Sequence, residues 1–238
     1  MGGPLVHGID TNAQLAMAVE RVSQLRPKME FVVHLGDLTN DPSLEAYCEF
    51  SRITRGLFTQ QFCVWGNHDD GGMLSQEIPP PADVDPTGAS EGYYRFSRGG
   101  LQGIVLNSNG TVPVDGGVVD ARQLEWLENV LVASNRSPSL VFVHHPMHKI
   151  GIDWLDRSGL HNPGGLHEVL SRHSQVLRVF SGHVHRRSWS RPSGVPSETV
   201  RSTAFSMGPM QADAVANSGQ GFVVVEVNGD IVDTTDFL

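Results

Sequence analysis

Gly182-His183-Val184-His185, directly after the apolar run Val-Leu-Arg-Val-Phe at 176–180, is the stretch whose reading decides the fold. Two histidines two apart, beside a glycine at a strand's end, both point into one pocket if the chain kinks there. Three upstream segments repeat the arrangement. Gly36-Asp37 follows the run 31–35, Gly66-Asn67-His68-Asp69 follows 61–65, and His144-His145-Pro146 follows 139–143. Four times an apolar strand runs straight into residue types that ligate metals. A sheet whose strand ends converge would gather Asp37, Asn67, His144, His183 and His185 into one site. That mix of oxygen and nitrogen donors suits Mn, Fe or Zn and argues against a thiolate centre.

Working outward, 238 residues suffice for one large α/β domain or two small ones. No linker, repeat or low-complexity tract divides them, so a single domain over 1–238 is expected. No apolar run approaches the length of a membrane-spanning helix, and no membrane partner is expected. The start, Met1-Gly2-Gly3-Pro4-Leu5-Val6-His7, has neither a basic nor an apolar leader region. Cys48 and Cys63 read as two reduced thiols, which points to the cytoplasm. The formal net charge is −9, from 26 acids against 17 bases, and no basic stripe is present. That balance counts against nucleic-acid polymers. It leaves room for a small anionic substrate, because bound cations supply positive charge locally. A homodimer stays open.

Periodicity supplies the scaffold. Asp10 caps a helix to Gln24 with Leu15, Val19, Val22 and Leu25 as its stripe. A second helix fits 43–57, with Leu44, Tyr47 and Cys48 inward. The Pro- and Asp-rich stretch 78–91 reads as a long loop, either a lid or a connection. A hairpin joins 93–97 to 101–107, and helices follow at 120–133 and near 166–173. Beyond His185 the pattern turns all-β, ending in a hairpin with a type I′ turn at Asn228-Gly229. His34, inside an apolar strand, reads as a hydrogen-bonded core histidine. His148, His161, His167 and His173 fall on loops or helix faces. Alternating β and α units followed by hairpins predict mixed sheets with helices outside.

The ordered set Gly36-Asp37, Gly66-Asn67-His68-Asp69, His144 and Gly182-His183-Val184-His185 resembles the calcineurin-like metallophosphoesterases. The closer likeness is to the bacterial class III cyclic-nucleotide phosphodiesterases. It rests also on Gly36-Asp37-Leu38-Thr39, His144-His145-Pro146-Met147-His148, Gly151-Ile152-Asp153-Trp154-Leu155-Asp156 and Gly182-His183-Val184-His185-Arg186. The resemblance implies an α/β fold, an αββα sandwich of two mixed β-sheets flanked by helices. It implies a metal-dependent hydrolase of small phosphodiesters, with 3′,5′-cyclic AMP as leading substrate.

Carried over by position, the resemblance makes Asp37 the bridge between two divalent ions. Asn67, His144 and His183 complete one ion's site, and His185 serves the other. His68 is similar to the family's phosphate-contacting histidine, which helps the leaving oxygen depart. Asn40 stands where the family often has an acid oriented toward that histidine, with Asp41 beside it. His145 supports the ligands or faces substrate. These residue types suit the chemistry. Two cations about 3.5–4 Å apart neutralise an anionic phosphodiester and activate water. Neutral imidazoles hold them without cancelling that charge, and a nearby donor serves the departing oxygen.

The family's first motif, Asp-x-His on its first strand, is absent, and neither His7 nor Asp10 has the order or spacing to replace it. One strong ion site is therefore expected where the family has two, and the chain is expected to be incomplete at its N-terminus. The alternative is a non-catalytic or fragmentary homologue that binds one metal or a nucleotide without efficient turnover.

Overall fold

The computed structural model describes residues 5–110, 116–210, 215–216 and 219–238. Helix α1 (Thr11–Gln24) is capped by Asp10, whose side chain accepts from the Ala13 N–H at 3.0 Å. Strand β1 (Phe31–His34) runs parallel to β2 (Gln60–Cys63), with α2 (Leu44–Thr54) crossing between them. Ser43 caps α2 through the Ala46 N–H. Its buried stripe is Tyr47, Phe50, Ile53 and Thr54. Leu44 and Cys48 are exposed instead of inward. A stripe through 47, 50 and 54 turns residue 48 some 100° away, since a helix has about 3.6 residues per turn.

A six-stranded mixed sheet forms the centre, in the order β3-β4-β5-β6-β8-β7. Its strands are β3 (Tyr94–Arg98), β4 (Leu101–Leu106), β5 (Ser139–Val143), β6 (Val176–Ser181), β7 (Ser188–Ser190) and β8 (Ser197–Thr199). Strands β4, β5, β6 and β8 are parallel, and β3 and β7 run against them. Helices α4 (Ala121–Ala133) and α6 (Pro163–Ser171) cover one face, packing Leu127, Leu131, Leu166 and Leu170 on Ile104, Val141 and Val179.

The opposite face is aromatic, with Phe96, Phe142 and Phe180 in line and Phe62 of β2 stacked on Phe96 at 3.5 Å between ring centroids. On it rest Phe31, Val33 and Leu35 from β1 and its exit, and Val225, Val227 and Val232 from the hairpin β11 (Phe222–Asn228) and β12 (Ile231–Phe237). Outside β1, helix α1 packs Leu15, Val19 and Val22 against Val32, Ile53 and Leu57. The α/β architecture with a mixed sheet and flanking helices is as expected. The second layer is divided: among the described residues β1–β2 and β11–β12 are separate two-stranded ladders, and β9 (Ser206–Met207) with β10 (Val215–Ala216) is a third.

Three local features depart from the sequence reading. A seven-residue helix α3 (Gly71–Glu77), capped by Asp70, follows the Asn67 loop. A single turn α5 (Asp153–Asp156) interrupts the loop after β5. In the last hairpin Asn228 pairs with Ile231, so the loop residues are Gly229 and Asp230. Only Gly229 of these has positive φ, and a type I′ turn needs both.

Candidate metal centre

Strands β1, β2, β4, β5 and β6 all send their carboxyl ends to one rim, where ligands of parallel sheets generally bind. Two glycines allow the loops there to touch. A Cβ on Gly66 would lie 2.1 Å from the Asp37 nitrogen, and one on Gly36 would lie 2.4 Å from His144 Nδ1. The kinks the sequence requires are present as positive φ at Asp37 (53°), His183 (63°) and His185 (49°). Non-glycine residues adopt that region at a cost of about 1–3 kcal/mol, and such residues cluster at functional sites.

Four donor atoms converge. His144 Nε2 lies 3.0 Å from Asn67 Oδ1, 3.2 Å from Asp37 Oδ2 and 3.3 Å from His183 Nδ1, which is 3.0 Å from Asn67 Oδ1. His144 Nδ1 donates to the Leu35 carbonyl at 2.6 Å, which leaves its Nε2 as a lone pair in the neutral ring. That lone pair faces two oxygens and a third ring nitrogen, so a cation or a proton must sit among them. Burial opposes a charged His144, but Asp37 outweighs it and raises the pKa. Burial likewise opposes ionisation of Asp37, while His144 and the His68 N–H draw it below the usual carboxylate range. Burial lowers His183 to about 3 and His185 to about 4, so both rings are neutral and their lone pairs are free for a metal.

The remaining residues named from sequence are placed differently. His145 joins His144 and His183 in a cluster whose ligand atoms lie within 4.8 Å of one another. Its Nδ1 meets Ser108 Oγ at 2.8 Å, and its buried Nε2 has no hydrogen-bond partner. His185 stands aside, its ring 4.6 Å from that of Phe205. His68 is exposed. Its backbone N–H donates to Asp37 Oδ1 at 2.9 Å and its Nδ1 to the Asn40 carbonyl at 2.9 Å, leaving Nε2 open. The Asn40 side chain does not touch that ring; it donates to Asp41 Oδ2 at 2.8 Å. Orientation of His68 thus comes from the backbone, a correction to the side-chain role expected. His34 bonds Gln61 Oε1 at 2.9 Å, and His148 bonds Ser197 Oγ at 2.8 Å.

Several supporting groups escape a reading by residue type. Asp69 accepts from the Gly66 N–H at 2.8 Å, the Leu38 N–H at 3.1 Å and the fully buried Tyr47 hydroxyl at 3.2 Å. One carboxylate so ties the Asp37 loop to the Asn67 loop, and Tyr47 fixes the tie to α2. Asn109 Nδ2 donates to the Gly66 carbonyl at 2.5 Å. Asn107-Ser108-Asn109, at the end of β4, is the signal that could have found Ser108 and Asn109.

The donor set fits a divalent cation: one carboxylate, one amide oxygen and neutral imidazoles, with a buried ring nitrogen of His145 unmet. No helix among the described residues is long and apolar enough to cross a membrane.

Comparison with known proteins agrees with the geometry. Residues 6–187 match the family model of calcineurin-like phosphoesterases. The chain is 30% identical over 181 residues to a 3′,5′-cyclic-nucleotide phosphodiesterase of Nostoc sp., covering 76% of this chain and 65% of that protein. It is 30% identical over 186 residues to the 3′,5′-cyclic adenosine monophosphate phosphodiesterase CpdA of Pseudomonas aeruginosa, covering 77% and 64%. It thus spans slightly less than two thirds of the length of these relatives. A dimetal phosphatase from Danio rerio shares the fold, with a TM-score of 0.74 at 19% identity over 94% of this chain and 85% of that one.

Proposed function

This chain belongs to the calcineurin-like phosphoesterase family, and on that premise we propose that it hydrolyses small phosphodiesters, 3′,5′-cyclic nucleotides foremost. The observation that carries the reading is the meeting of the His144, His183, Asn67 and Asp37 donor atoms at 3.0–3.3 Å. These four residues would hold a divalent ion, with His185 available to a second. Bound cations supply the positive charge that an anionic phosphodiester needs before water attacks it. Asp37 also fixes the His68 backbone, and the Asn40 carbonyl sets that ring's tautomer. With Nδ1 committed as donor, Nε2 is the atom that meets substrate. Protonated, it hands a proton to the departing oxygen; neutral, it accepts one back. The kinship with cyclic-nucleotide phosphodiesterases supports the choice of substrate.

The separation of His185 from the four-atom cluster favours a second reading, a homologue that holds one ion and turns over poorly. One experiment separates the two. The purified chain is loaded with Mn²⁺ and assayed for release of 5′-AMP from cyclic AMP, with ion content measured after dialysis. Turnover that disappears in a folded His144→Ala variant supports the enzyme. A tightly held ion without turnover of cyclic AMP, cyclic GMP or a glycerophosphodiester supports the binder.

A further inference from the structure

A cavity of about 1460 Å³ reaches between the two ladders of the second layer. Consecutive residues of both strands line it: Phe31, Val32 and Val33 of β1, and Val223, Val224 and Val225 of β11. Side chains alternate along a strand, so a cavity under one face meets every second residue. A cavity met by consecutive residues borders the hydrogen-bonding edge. Among the described residues β1 is paired only with β2, and β11 only with β12. Two open ladder edges therefore give onto one space. Leu140, Phe142 and Phe180 of the central sheet also line it, as do Leu15, Val19 and Val22 of α1.

We propose that this slot is a docking site for a single extended, apolar polypeptide strand supplied by a partner protein. The strand pairs with β1 along one edge and with β11 along the other, and makes the divided layer continuous. The ladder groups select this occupant. Unpaired N–H and C=O groups shut away from water are costly, and only another backbone in extended form satisfies a row of them. A helix is about 10–12 Å across with its backbone groups already paired, so it answers neither edge. The apolar lining selects the side chains. With α1 on one side and the aromatic sheet face on the other, the strand is buried on both faces and carries a continuous apolar run. A length of about five or six residues matches an ordinary strand. The mode is strand addition at an edge, with backbone bonds giving affinity and the apolar lining giving specificity.

The test uses the full chain and a fluorescent synthetic peptide, Lys-Lys-Val-Ile-Val-Ile-Val-Lys-Lys, beside a control with proline at the second and fourth apolar positions. Saturable binding of the first peptide, at least tenfold weaker binding of the control, and slowed amide exchange at 31–35 and 222–227 are expected. The substitution Val224→Asp, which puts a charge in the slot, should weaken binding at least tenfold, while Val132→Asp on an exposed helix face should not. Equal binding of the proline control would overturn the proposal, because an apolar pocket would then suffice. Slow exchange of both edges in the free chain would overturn it too, since the edges would already be paired, with one another or with a second copy. The peptide controls decide the matter even if Val224→Asp fails to fold.

Discussion

Glu198 is the charged side chain most worth removing. It is 1% exposed, and its two oxygens accept from Arg178 Nη1 at 2.8 Å and Arg187 Nε at 2.9 Å. Arg178 also donates to the Val232 carbonyl at 3.0 Å, and Arg187 to Thr234 Oγ1 at 2.7 Å. The group thus fastens β12 to the central sheet through β6, β7 and β8. Glu198→Ala leaves the Arg178 guanidinium, 15% exposed, without its counter-charge. Removing one partner of a buried pair typically costs about 3–5 kcal/mol. Arg187 is 30% exposed and can turn to water, so it adds little. Against an ordinary domain stability of about 5–15 kcal/mol the loss is large. It is measured by urea unfolding at pH 7, with hydrogen exchange showing the β11–β12 hairpin opening first. The double variant Glu198→Leu with Arg178→Met removes the burial cost along with the attraction and should recover most of the loss. A single-variant loss below about 1 kcal/mol, or a double variant no better than the single, would refute the reasoning.

Asp69→Asn puts an amide where three donors meet; metal affinity measured by calorimetry should fall about 10–100-fold, and an unchanged affinity would make the tie purely structural. His68→Ala should lower turnover by about 10²–10⁴-fold with ion content retained, whereas Asn40→Ala should change little, because the carbonyl holds the ring; loss of metal in His68→Ala would move that residue among the ligands. His183 and His185, at about 3 and 4 when folded, bind fewer protons than in the unfolded chain, where the value is about 6.5. Their contribution is present above that value and lost as pH falls through the window. The raised pKa of His144 acts in the opposite sense, contributing most below about 6.5. The melting temperature of the metal-free chain should fall from pH 7 to pH 4, and His183→Gln should flatten the fall; a flat profile in the parent chain would show solvated rings.

The strand ends bearing Asp37, Asn67, His144 and His183 are legible because each joins an apolar run to a ligand type, and parallel strands bring like ends together. Other contributors use signals that residue type does not carry. Asn40 acts through its carbonyl. Tyr47 lies on a helix stripe where an aromatic side chain passes for core, yet its hydroxyl reaches Asp69. Ser108 meets His145 across 37 residues of sequence. The last turn fails for another reason. The local Asn-Gly preference gives way to a register that faces Val225, Val227 and Val232 to the aromatic sheet, and a slip of one residue would turn them outward. The divided second layer is likewise a matter of pairing partners, which no single run of residues records.

The left-handed backbone at Asp37, His183 and His185 bears on how this protein could be altered. Glycine would relax each of the three by about 1–2 kcal/mol and delete a donor atom in the same step. At these positions selection for heat resistance and selection for ion binding pull in opposite directions. A library sorted on melting temperature alone would enrich glycine at all three and return sturdier proteins that no longer hold an ion. Sorting has to include metal retention from the first round.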